Sequence, residues 1–99
     1  MSIKIIFMDD TDIIEKKKEI LLKAVGKVIY KQRKKLCKGI NKFSFEYDIG
    51  NGLLSRLENG ITDTKITTLW KLANAFEIKF SHLAQLIENE LPDKFNFYE

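Results

Sequence analysis

The side chains best suited to covalent or metal chemistry are scarce in this sequence. It contains one cysteine, Cys37, and one histidine, His82. A lone thiol forms no intramolecular disulfide and no cysteine-based zinc cage, and one imidazole gives a transition metal little to bind. Ser55 has no Ser-His-Asp set to serve and Cys37 no Cys-His pair, because His82 falls in a different predicted helix. The expectation is therefore a protein that is not an enzyme and uses neither metal nor cofactor.

What these residues can do is attract anions. The net charge of +3 is unevenly distributed, with a balance of −2 over residues 1–14, +9 over 15–42 and −4 over 43–99. A basic third beside an acidic remainder sets up a directed field of the kind that draws in a polyanion. A plain solvated helix face is the competing reading, and charge alone weighs the two equally. Lys16-Lys17-Lys18 fits solvation as well as binding. A membrane-surface role is disfavoured, since the apolar side of the basic helix has other predicted helices to pack against.

Positioning such a field requires a fold. Ninety-nine residues, 44% of them hydrophobic, are enough for one domain with a thin core. The longest apolar runs, such as Ile20-Leu21-Leu22, are too short to span a bilayer. No charged n-region leads into an apolar h-region, so the expected location is cytoplasmic.

Ser2–Phe7 is β-branched and aromatic enough for a short strand, and Phe95–Tyr98, after Pro92, is the only piece able to pair with it. From about Asp12 the period changes. Leu21, Val25, Val28, Ile29, Gln32 and Leu36 recur at helical spacing, with acids at the start and lysines at the end to suit the macrodipole. Gly26 interrupts the pattern, so this is either two helices meeting or one helix with a close contact. Asn41 is the predicted cap of a short helix with Phe43 and Tyr47 inward. Ile49–Gly52 reads as a turn and Leu53–Glu58 as another short helix ended by Asn59-Gly60. Thr62-Asp63-Thr64 offers caps for a helix with an Ile66, Leu69, Leu72, Ala73 and Phe76 stripe, and Ser81 caps a last helix carrying Leu83, Leu86 and Ile87.

Residues 41–60 thus form a short helix, a glycine-bearing turn and a second short helix. Such a pair leaves the second helix protruding, the shape that enters a major groove about 12 Å wide. Tight helix pairs are common, so the spacing by itself is weak evidence. The residues add to it. Val25-Gly26-Lys27 with Ile29 and Arg33, then Leu54-Ser55-Arg56-Leu57-Glu58-Asn59-Gly60, then Thr68–Phe76, resemble the XRE family, the phage repressor and Cro type of helix-turn-helix. The likeness covers about residues 24–88.

It implies an all-α, five-helix repressor-like domain over 24–88, an N-terminal extension over 1–23 with a short strand, and a tail over 89–99. It also implies a sequence-specific transcriptional regulator, a repressor, bound to double-stranded DNA as a homodimer. Asn51, Gly52, Ser55 and Arg56 would meet base edges. Arg56 can donate twice to guanine, a pairing worth about 1–3 kcal/mol of discrimination, and Asn51 can pair likewise with adenine. Phosphate contact alone is the alternative for Arg56. Lys38, Asn41, Lys42, Asn59 and Lys65 would hold phosphates, about five per subunit, giving a salt slope near −4.5. Arg33 and Glu58 would form a partly buried ion pair bracing the recognition helix, the alternative being two unrelated surface charges.

Three positions depart from the family pattern. Ile40 stands where the family has Gln, Asp48 where the motif turn has glycine, and Cys37 where a glycine follows the first helix. With Gly50 and Gly52 flanking Asn51, few side chains remain for base readout, which shifts weight onto Arg56, backbone amides and DNA shape. The last helix and terminal strands are the expected dimer surface. Alternative readings are an antitoxin, in which the domain also holds a toxin protein, and an adaptor that kept the fold without the DNA.

Overall fold

The computed structural model describes residues 10–99, which fold as five helices with no strand among them. They are α1 (Asp10–Lys35), α2 (Ile40–Tyr47), α3 (Asn51–Glu58), α4 (Ile66–Ala75) and α5 (Phe80–Asn89). The strand expected at Ser2–Phe7 lies outside the described residues. Its expected partner, Phe95–Tyr98, is turn and irregular backbone. Lys94 takes a left-handed φ of 59° just before it, the rings of Phe95 and Phe97 meet edge to face at 5.5 Å, and Lys17 Nζ donates to the carbonyls of Asn96 and Glu99. A side chain of α1 thus takes up carbonyls that a strand would have offered to a neighbouring strand.

α1 runs unbroken through Gly26, which is a contact point rather than a boundary. A Cβ at residue 26 would stand 2.4 Å from the carbonyl oxygen of Leu57 and 2.6 Å from that of Glu58. Only the bare glycine lets the C-terminal end of α3 approach α1 this closely, in return for about 1 kcal/mol of helix propensity. Gly60 makes a second close approach, at φ +68° with its missing Cβ 2.9 Å from Lys23 Cγ. Between these contacts the core assembles from Ala24, Val25, Val28 and Ile29 of α1, Phe43 of α2, Leu54 and Leu57 of α3, Leu72, Ala73 and Ala75 of α4, and Leu83 and Ile87 of α5. Phe43 is fully buried, its ring centroid 4.7 Å from Tyr47 and 5.6 Å from Phe76.

The helix starts correct the capping expectations. Gly39, Gly50, Lys65 and Lys79 occupy the N-cap positions of α2 to α5, none with a side-chain cap. Asn41 lies inside α2 and accepts a hydrogen bond from Asn51, while Asp63 Oδ1 accepts from the Thr64 N–H within its own loop. Ser81 is one residue inside α5. α3 begins at Asn51 rather than Leu53, taking in two residues that read as turn. Packing sets two of these starts: Ile40 and Phe80, the first residues of α2 and α5, both pack on the core.

The apolar stripes also shift. Ile66 is 60% exposed, because the inward face of α4 is carried by Leu72, Ala73 and Ala75, with Phe76 buried just past its end. Leu83 and Ile87 are buried within the chain's own core. Of the three residues expected to give the last helix a dimer surface, these two are therefore not available, and Leu86 is half-buried.

Candidate nucleic-acid interface

The α2–turn–α3 unit closes without the usual glycine. Asp48 adopts the left-handed conformation (φ 53°, ψ 49°), its N–H bonds to the Ser44 carbonyl, and Ile49 N–H reaches the same oxygen at 3.1 Å. Aspartate tolerates this region better than most residues, so the backbone keeps the shape that a glycine would give it. Cys37 shows the same behaviour, with φ 57°. The buried Ile49 plugs the turn from inside, and Lys71 Nζ ties α4 to it by donating to the Asp48 carbonyl at 3.0 Å.

The inner side of α3 is locked. Leu54 and Leu57 are completely buried and Leu53 is half-buried. Arg33 Nε donates to Glu58 Oε2 at 2.6 Å and Arg33 Nη2 to Glu58 Oε1 at 2.8 Å, a bidentate pair whose two side chains are each only 8% exposed. Arg33 Nη1 also donates to the Lys38 carbonyl at 2.8 Å. Donating to the Glu58 carboxylate raises the guanidinium above its ordinary range, against the opposing pull of burial. Arg33 thereby holds the last turn of α1 to the end of α3 and to the link before α2. The C-terminus of α3 is finished by Gly60 N–H on the Leu57 carbonyl (3.1 Å) and Ile61 N–H on the Arg56 carbonyl (2.9 Å), a Schellman closure with glycine at its left-handed position.

The outer side of α3 faces away from the core. Asn51, Gly52 and Arg56 are exposed and Ser55 is half-buried. Asn51 Nδ2 donates to Asn41 Oδ1, linking the first turns of α2 and α3. Arg56 Nη1 lies 3.2 Å from where a Cβ at residue 52 would be, so the guanidinium rests along the bare first turn of α3. The absent side chain at Gly52 is what makes room for it.

Around this face, Lys42 is exposed on α2 and Lys65 is exposed at the start of α4. Asn59 is exposed, and its Nδ2 donates to the Ser55 carbonyl at 2.8 Å. Lys38 is more committed: its Nζ contacts Glu46 Oε1 at 2.6 Å and Tyr47 Oη at 3.1 Å. The hydrogen bond with Glu46 raises the Lys38 ammonium and holds the Glu46 carboxyl below its usual range. None of α2, α3 and α4 has a side-chain cap or an acid in its first turn. Their starts therefore keep the partial positive charge of unpaired N–H groups, a favourable setting for phosphate.

The basic segment is less available than its sum implies. Lys27 and Lys31 pair with Glu90 at 3.2 and 3.0 Å, Lys17 binds tail carbonyls, and Arg33 and Lys38 are engaged as above. Sequence reasoning left open which element meets Gly26, and it missed Lys71 as the tie to the turn and the Asn41–Asn51 link. Of these only Gly26 left a signal, as a glycine inside a helical pattern. Among the described residues no cluster of His, Cys, Asp and Glu is placed to hold a metal, and no helix is long and apolar enough to cross a membrane.

A family model described as helix-turn-helix matches residues 29–83, more than half of the chain, from the buried Ile29 of α1 to the buried Leu83 of α5. No curated protein and no solved structure matches the chain.

Proposed function

Since the chain belongs to the XRE-type helix-turn-helix family and is thereby a DNA-binding regulator, we propose that it reads specific sites in duplex DNA by placing α3 in the major groove. The observation that carries this reading is the division of α3 into a locked inner side and an exposed outer side bearing Asn51, Gly52 and Arg56. Arg56 supplies the bidentate donor for guanine, Asn51 a donor and acceptor for adenine, and Ser55 and Gly52 the close backbone approach. Lys42, Asn41, Asn59 and Lys65, with the N–H groups at the starts of α2 and α4, hold the phosphates that set register. Lys38 contributes less, because Glu46 already neutralises it.

The regulator acts as a homodimer on paired half-sites, since one such unit buries little DNA surface, and as a repressor, since occupancy alone asks nothing more of the fold. Selection from random duplex, followed by fluorescence anisotropy on the selected site and on random DNA, tests this. Arg56→Ala should lower the ratio of specific to random affinity roughly 5–150-fold, the equivalent of about 1–3 kcal/mol. With Lys42 and Lys65 as the cations that neutralise phosphates, log K should fall against log salt with a slope of about −1.8 per subunit. An unchanged ratio in Arg56→Ala would remove α3 as the reading element.

A further inference from the structure

A cavity of about 360 Å³ opens where α1, α4 and α5 meet, walled by Leu21, Val25, Leu69, Leu83, Ala84 and Ile87. The α3–α4 loop, residues 62–64, contributes one side. Asp63 and Glu88 are the only charged residues in the lining, both exposed and neither in an ion pair with another described residue. The α1 wall continues toward the start of that helix. Ile14, 41% exposed, lies seven residues before Leu21 and eleven before Val25, which is the same side of a helix. An apolar path with an acidic margin thus runs from the cavity to the first turns of α1, and such a surface marks a contact.

We propose that the chain's own residues 3–7 cover this path and place Ile3 at the cavity. Reach permits it. Ile3 precedes Asp10 by seven residues, about 23 Å when extended, whereas Leu21 follows Asp10 by eleven, about 16 Å along the helix. The difference leaves about two residues for the turn back. Pattern agrees with reach. In an extended segment Ile3, Ile5 and Phe7 share one side, so Ile3 meets Leu21 while Phe7 lies beside Ile14.

Charge agrees as well. Lys4, on the other side of the segment, stands at a margin whose charges are Asp63 and Glu88. The C-terminal tail is already engaged, since Lys17 takes up the carbonyls of Asn96 and Glu99. The same segment from a second copy would match equally in pattern, but a short tether gives the chain's own segment an effective concentration in the millimolar range. Filling the cavity also backs the loop 62–64, which runs directly into Lys65 at the start of α4.

The test uses the full chain with labelled methyl groups, at about 200 μM. Nuclear Overhauser cross-peaks should join the Ile3 methyls to those of Leu21, Val25 and Ala84, and the Phe7 ring to Ile14. Ile3→Asp combined with Ile5→Asp should move the Leu69, Leu83 and Ala84 methyl signals. It should also lower the folding equilibrium constant in urea roughly 30-fold, as expected for uncovering two isoleucines. Ile6→Asp, on the opposite side of the segment, should do neither. Lys4→Glu should lower the constant several-fold, and Glu88→Lys added to it should restore the loss. Absent cross-peaks, with the cavity methyls unmoved in the double variant, overturn the proposal. In a mixture of labelled and unlabelled chains, cross-peaks that arise only between chains give the cavity to a second copy's segment and overturn it too.

Discussion

Replacing Gly26 by alanine tests the packing that seats the recognition helix. At an exposed position within a helix this change stabilises by about 1 kcal/mol. At Gly26 the added carbon would lie 2.4, 2.6 and 2.9 Å from the Leu57 oxygen, the Glu58 oxygen and the Glu58 carbonyl carbon. An ordinary carbon–oxygen contact is about 3.3 Å, so the overlap is roughly 0.9 Å. The obstructing atoms belong to backbone, and no rotamer change can remove them. α1 and α3 must separate, which strains the Arg33–Glu58 bonds at 2.6 and 2.8 Å and loosens Val25, Ile29, Leu54 and Leu57. Overpacking of this kind costs about 3 kcal/mol, and the propensity gain returns about 1, leaving a net loss of about 2 kcal/mol. With a urea m-value of about 1 kcal/mol/M, the midpoint should fall by about 2 M. Gly39→Ser is the control, since nothing lies within 4 Å of its Cβ and a serine there can cap α2. It should gain a few tenths of a kcal/mol. A Gly26→Ala protein with an unchanged or higher midpoint would refute the reasoning.

Glu58→Ala leaves Arg33 buried without its carboxylate and should cost about 3–5 kcal/mol in urea denaturation, with Glu58→Gln less severe because it keeps one hydrogen bond. Ser44 Oγ is buried without a hydrogen-bond partner, so Ser44→Ala should raise stability by about 1 kcal/mol in the same assay. Lysine neighbours hold the carboxyls of Glu46 and Glu90 below the usual range in the folded chain. Their contribution is therefore complete above the unfolded carboxylate pKa of about 4.5 and is lost as pH falls through the lower folded values. Urea midpoints should drop between pH 6 and pH 3, modestly and less so in high salt, because these pairs lie at the surface.

Periodicity carried most of the fold. It placed Val25, Val28 and Ile29 on one side of α1, where the structure has all three buried. It could not decide what Gly26 does, because the answer lies in the carbonyls of residues 57 and 58. Capping residues misled for a related reason. Asn41 and Asp63 offered oxygens that the folded chain uses elsewhere, so packing rather than a local cap sets where α2 starts. The missing glycines at Cys37 and Asp48 read as departures, yet both residues hold the left-handed backbone. Charge was legible in amount but not in availability, since Glu90, Glu46 and the tail carbonyls that engage the lysines are distant in sequence or on other elements. Within the candidate site, the family resemblance named the residues for the outer side of α3, whereas the fold-back of Arg56 over Gly52 needed coordinates.

Amide chemical-shift mapping of the labelled chain during titration with duplex DNA at low salt addresses the central claim most directly. The account predicts the largest movements at Gly39–Lys42 and Asn51–Arg56, with Gln85 and Asn89 on the far helix nearly still. Movements concentrated on α5, or none at saturating duplex, would contradict it.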